Sequence, residues 1–109
     1  MAKTPDSLQG SLELLILKTV ATTPQHGFGI AVHIQTVSDG LLRVEEGSLY
    51  PALHRLQKQG FLKSEWKTTD NGRRARYYRL TPSGRQRLAE AVTNWSSLAK
   101  GIRKVLDYA

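Results

Sequence analysis

The chain has no cysteine. That excludes a disulfide framework, a thiol nucleophile and any zinc site built on thiolates. No apolar run approaches the roughly 20 residues a membrane span needs. Residues 1–7, MAKTPDS, lack the hydrophobic stretch of a signal peptide. The three histidines, His26, His33 and His54, are scattered, with no HExxH pairing. No glycine-rich phosphate loop of the Walker or dinucleotide type occurs, and no serine has a base at a recognisable spacing. The expectation is therefore a non-enzyme with no cofactor and no metal, soluble and cytoplasmic. At 109 residues it is one domain with a modest core, which gains from dimerisation.

Acidic residues are also scarce: 9 against 16 Lys and Arg, for a net charge of +7. The imbalance is local. Between His54 and Arg87 lie ten basic residues and two acids, Glu65 and Asp70. The rest of the chain carries six bases and seven acids. Solubility alone is served by interspersed charge. A basic stripe confined to one third of the chain is the footprint of a polyanion partner.

The order of elements sharpens this. An arm over residues 1–6 precedes an apolar helix from Ser7 to Ala21, closed by Thr22, Thr23 and Pro24. Gly27 and Gly29 flank Phe28 in a tight loop. Ile30, Ile34 and Val37 mark a second helix over 29–37. Ser38-Asp39-Gly40 is a turn, and Leu41 to Val44 an extended piece able to pair with a later hairpin. The third helix has Ser48 as N-cap and Pro51 in its first turn. Leu49, Leu53 and Leu56 form its core face, and Gly60 ends it in the C′ position. Residues 61–68 and 75–80 read as strands. The loop between them exceeds a two-residue turn and is expected to be mobile. Thr81-Pro82 starts a last helix, to about Tyr108. Its residues Leu88, Val92, Trp95, Leu98 or Ala99, Ile102 and Leu106 step by three and four, a seam suited to a second copy of the chain.

A helix followed by a basic hairpin is how a winged helix-turn-helix addresses duplex DNA. The fold class is thus mainly α (α+β): a winged helix-turn-helix over residues 1–81, then a long C-terminal dimerisation helix over 82–109. On the third helix, Ser48, Tyr50, Pro51, His54, Arg55 and Lys58 are the candidates for groove contact. On the wing, Arg73, Arg74 and Arg76 address phosphate or the minor groove, and Lys67 assists from the strand. Tyr77 and Tyr78 alternate faces, one into the core. Trp66 reads as structural. Trp95 serves either as seam packing or as a ligand platform.

Three segments together resemble the PadR family of bacterial transcriptional regulators. They are HGFGI (His26–Ile30), EGSLYPALHRLQKQGFL (Glu46–Leu62) and GRRARYYRLTPSG (Gly72–Gly84). Phe28 stands where members often carry Tyr, and the single C-terminal helix is similar to the small subfamily. The resemblance implies a homodimeric repressor on a pseudo-palindromic operator, often of the ATGT…ACAT type, acting at the bacterial nucleoid. It implies release by a ligand or an altered cell state. In multidrug-sensing members a tryptophan of the last helix stacks on flat hydrophobic cations at the dimer centre. Trp95 matches that position, and Ser7, Gly10, Glu13 and Leu14 match the pore-lining positions of the first helix. Ala99 replaces an acidic residue one turn after the tryptophan, which weakens the case for cationic ligands.

Two other classes share the basic stripe. A sequence-indifferent DNA or RNA binder would show steep salt dependence without sequence preference. A protein-interaction module would tolerate charge reversal at Arg73, Arg74 and Arg76.

Overall fold

A computed structural model describes residues 6–109, with side chains described from Ser11 onward. Four helices and three strands follow in the order α1 (Asp6–Thr22), β1 (Gln25–His26), α2 (Gly27–Val37), α3 (Glu46–Lys58), β2 (Leu62–Thr68), β3 (Arg74–Leu80) and α4 (Pro82–Leu106). The sheet is antiparallel with order β1-β3-β2. This is the winged helix with a long C-terminal helix.

The core is made by α1, α2, α3 and the root of the hairpin. Ile16, Leu17 and Val20 of α1 meet Ile30 and Ile34 of α2 and Leu49, Ala52, Leu53 and Leu56 of α3, with Leu62 and Tyr78 below them. The i, i+4, i+7 face expected on α3 is fully buried. Gly60 ends the helix with φ of +86°. Its N–H reaches the Gln57 carbonyl at 3.0 Å and the Phe61 N–H reaches Leu56 at 2.9 Å. These are the paired bonds of a Schellman stop, which needs the left-handed conformation that glycine adopts freely.

Thr81 joins the wing root to α4. Its hydroxyl accepts from the Gly84 N–H at 2.9 Å and donates to the Gly60 carbonyl at 2.7 Å. The Ser83 hydroxyl reaches the same carbonyl at 3.0 Å. Gly84 lies so close to the Phe61 carbonyl oxygen that a Cβ there has no room. The expected Thr-Pro start of the last helix is what forms.

Local expectations differ from the structure at several points. Leu41 to Val44 joins no strand. The third strand is the two-residue β1, whose Gln25 and His26 pair with Tyr78 and Tyr77. The loop after α2 is instead folded on itself: the Ser38 hydroxyl accepts from Leu42 N–H at 3.0 Å. Gly27 and Gly29 are not loop residues but the first turn of α2. His26 caps that turn, its Nδ1 accepting from the Gly29 N–H at 3.0 Å. The helix α3 starts at Glu46, two residues before Ser48, so Ser48 is not its N-cap. Ser48 and Leu49 N–H groups both bond to the Glu45 carbonyl, at 3.0 and 2.9 Å. Pro51 consequently sits in the second turn, where its missing N–H leaves the Gly47 carbonyl without the usual intrahelical donor. The hairpin tip over 69–73 is closed by its own bonds, Thr69 N–H to Arg73 carbonyl at 2.6 Å and Gly72 N–H to Thr69 carbonyl at 3.0 Å.

Helix α4 leaves the core almost at once. Gly84 is buried and Leu88 packs against the core, but Val92, Trp95, Leu98, Ile102 and Leu106 are about half exposed or more. The molecule is correspondingly long, 57 × 29 × 29 Å. The Arg87 guanidinium meets the Glu13 carboxylate at 3.5 Å, tying α4 to α1. Glu13, one of the pore-matching positions, is thus engaged in a helix–helix ion pair.

Candidate nucleic-acid interface

The outer face of α3 carries Tyr50, His54 and Lys58, spaced i, i+4, i+8 and all exposed. Such spacing places them in one row along the helix. Tyr50 is only 45% exposed because its ring leans on Gly27 of α2. A Cβ at Gly27 would lie 2.7–2.9 Å from the tyrosine's Cε1, Cζ and hydroxyl. Gly27 therefore provides the flat seat on which Tyr50 rests, a role the sequence did not reveal.

Arg55, Ser48 and Pro51 lie on the other edge of α3. They border a cavity of about 550 Å³ between α3, α1, the loop before α3, and α4. Leu14 and Trp95 line the same cavity, so two residues expected around a ligand come together within one chain. Ala99 does not join them. It lies along α4, in a shallow groove with Trp95, Leu98, Ile102 and Leu106. The remaining expected ligand residues, Ser7 and Gly10, have side chains outside the described residues.

Strand register sorts the wing side chains into two faces. Leu62, Ser64, Trp66 and Thr68 stand opposite Leu80, Tyr78, Arg76 and Arg74. This face meets α3, because the Ser64 hydroxyl donates to Gln57 Oε1 at 2.9 Å. The Tyr78 phenol is held above its ordinary pKa of 10.0 by burial, with Arg76 pulling it down and Tyr50 pushing it up.

Lys67 belongs to the opposite face. It pairs with Glu65 at 3.6 Å and lies 5.6 Å from the Tyr77 ring centroid. A strand's side chains alternate, so Lys67 stands on the other face of the hairpin from Arg74 and Arg76. Arg73 is at the tip, and Arg74 and Arg76 stand on the α3 side beside Trp66. Trp66 is 55% exposed and lies outside the core.

Among the described residues, no group of three or more His, Cys, Asp or Glu is placed to hold a metal. Among those residues no helix is long and apolar enough to cross a membrane.

The arrangement has relatives. The transcriptional regulator PadR-like family matches residues 16–90, which include all of α2, α3 and the wing. The chain belongs to this family of transcriptional regulators. Transcriptional regulator Rv3488 of Mycobacterium tuberculosis is 38% identical over 94 residues, covering 86% of this chain and 84% of that protein. A transcriptional regulator from Clostridium thermocellum superposes with a TM-score of 0.83 at 30% identity, covering 92% of this chain and 97% of its own. A PadR-like regulator from Bacillus cereus gives a TM-score of 0.80 at 26% identity, covering 96% of this chain and all 100% of its own. The PadR-like family and these relatives are regulators of transcription, not enzymes.

Proposed function

We propose that this PadR-like chain is a cytoplasmic, homodimeric repressor that binds a pseudo-palindromic DNA operator. The observation that carries the reading is the shared orientation of two basic surfaces. The exposed row Tyr50, His54, Lys58 of α3 lies beside the wing face bearing Arg74 and Arg76. A helix of this kind suits the major groove, and a wing beside it suits the adjacent backbone. Residues 1–81 form the DNA-binding unit in this reading, and 82–109 the dimerisation helix. The α4 seam of Leu88, Val92, Trp95, Leu98, Ile102 and Leu106 is the surface for the second copy. Two copies joined there would address half-sites about 34–36 Å apart.

Selection of binding sites from a random duplex library at physiological salt tests this reading. Enrichment of one inverted repeat is the expected result. Binding without enrichment would favour a sequence-indifferent binder, and absence of binding an interaction module. Arg74→Ala should weaken binding at all sequences and shallow the salt slope by about one ion. An unchanged slope removes Arg74 from the contacts.

The cavity beside Trp95 supports release by a flat hydrophobic effector. Its lining includes Leu12, Leu14, Leu15 and Leu42 with the tryptophan, and also Pro51 and Arg55 of α3. A ligand there would touch the recognition helix itself. It would shift DNA binding only as far as it prefers one arrangement of α3 and α4 over another. Quenching of tryptophan emission by flat aromatic compounds, lost in Trp95→Phe, is the test. No quenching across a diverse panel leaves Trp95 as packing.

A further inference from the structure

Trp66 is a large aromatic residue that belongs neither to the core nor to the α4 seam. It sits in mid-strand on β2, with 55% of its surface exposed. Its cross-strand partner is Arg76, and Arg74 lies one pleat further out. The two guanidinium carbons are 5.4 and 5.6 Å from the indole centroid, for Arg76 and Arg74 respectively. Both distances are within cation–π range. Among the described residues neither arginine has a carboxylate partner; the ion pairs join Lys67 to Glu65, Arg87 to Glu13 and Arg103 to Asp107.

The face matters as much as the contact. Ser64, two residues before Trp66 on the same side of β2, bonds to Gln57 of α3. Trp66 therefore continues outward, by about 7 Å, the surface that already touches the recognition helix. A guanidinium resting on an aromatic face keeps its N–H donors, which lie in its own plane, free for another acceptor. It also gives up side-chain freedom before a partner arrives, which lowers the cost of binding.

We propose that Trp66 belongs to the nucleic-acid interface as the platform that holds Arg74 and Arg76 ready for the sugar-phosphate backbone of duplex DNA. The proposal rests on the DNA-binding reading above. Trp66 is a positioning residue for the two arginines, and its exposed edge lies against the same backbone. Lys67, next in sequence, takes no part, because it faces Glu65 and Tyr77 on the other side.

The test uses the full chain and a random-sequence duplex, since backbone contacts need no operator. Affinity is measured over a range of salt for the parent, Trp66→Phe, Trp66→Val and Arg76→Ala, and for Trp66→Val with Arg76→Ala. Trp66→Val should weaken binding roughly tenfold, the scale of two lost cation–π contacts, and Trp66→Phe less. Arg76→Ala should cost clearly less in the Val background than in the parent. In Trp95→Phe, where Trp66 is the sole indole, duplex should change the emission and high salt should reverse the change. Parent-like binding by Trp66→Val, strictly additive losses, or unchanged Trp66 emission at saturation each overturn the proposal alone. A parent that binds no duplex at any salt overturns the DNA-binding reading and this proposal together.

Discussion

Replacing Thr81 with Val removes one hydroxyl and keeps the branched shape of the side chain. That hydroxyl is 2.9 Å from the Gly84 N–H and 2.7 Å from the Gly60 carbonyl, in a residue only 8% exposed. Loss of an N-cap costs about 1 kcal/mol. The Gly84 residue is itself buried, so leaving its N–H without an acceptor puts the loss at the upper end of the capping range, about 2 kcal/mol. The Gly60 carbonyl keeps the Ser83 hydroxyl at 3.0 Å and adds little. The expected loss is about 2 kcal/mol, or roughly 10 °C in Tm. Thermal unfolding at one fixed protomer concentration measures it, because dimer formation makes Tm concentration-dependent. Thr81→Ser, which restores both bonds, should recover most of the loss. A Thr81→Val protein that melts with the parent, or a Thr81→Ser protein as unstable as Thr81→Val, would refute the assignment of this hydroxyl as the joint between wing and α4.

Gly27→Ala should leave the fold intact and weaken DNA binding, because the new Cβ displaces the end of the Tyr50 ring rather than backbone. Combined with Tyr50→Ala, its effect on affinity should largely vanish; full additivity would show that the seat does not matter. Gly84→Ala should instead destabilise the domain by about 1–3 kcal/mol, since its Cβ meets the Phe61 carbonyl, and denaturant titration reads the difference. Ile102→Asp places a charge in the middle of the α4 seam and should give a monomer by sedimentation; an unchanged dimer would place the interface elsewhere. Because the buried Tyr78 phenol titrates above 10.0 when folded, its contribution to stability is complete below pH 10.0 and is lost as pH rises through the folded value. Tyr78→Phe should lessen the fall in stability between about pH 10 and 12, read by urea midpoints across that range.

Signals that act over a few residues were legible in the chain. Gly60 as a helix stop, Thr81-Pro82 as a helix start and the Leu49, Leu53, Leu56 face all depend on local backbone preference or helical period. The misplaced elements depend on partners far away in sequence. Gln25 and His26 are a strand only because Tyr78 and Tyr77 lie beside them. Leu41 to Val44 has strand-like composition, yet it pairs with no strand. Ser48 resembles a cap, but α3 extends one half-turn earlier, to Glu46.

The sequence by itself determined the winged-helix class, the concentration of excess basic charge between His54 and Arg87, and the amphipathic seam of α4. Periodicity and composition carry that information without any contact. Only the tertiary structure decided which wing face meets the recognition helix. Alternation along β2 says that Ser64 and Trp66 share one face and Lys67 takes the other. It does not say which face is turned toward α3. That follows from the packing of Leu62 and Tyr78 into the core and from the Ser64–Gln57 bond. The same packing brings Trp95 to Leu14 and Arg55, and rests Tyr50 on Gly27. These neighbours are separated by tens of residues, so no local pattern records them.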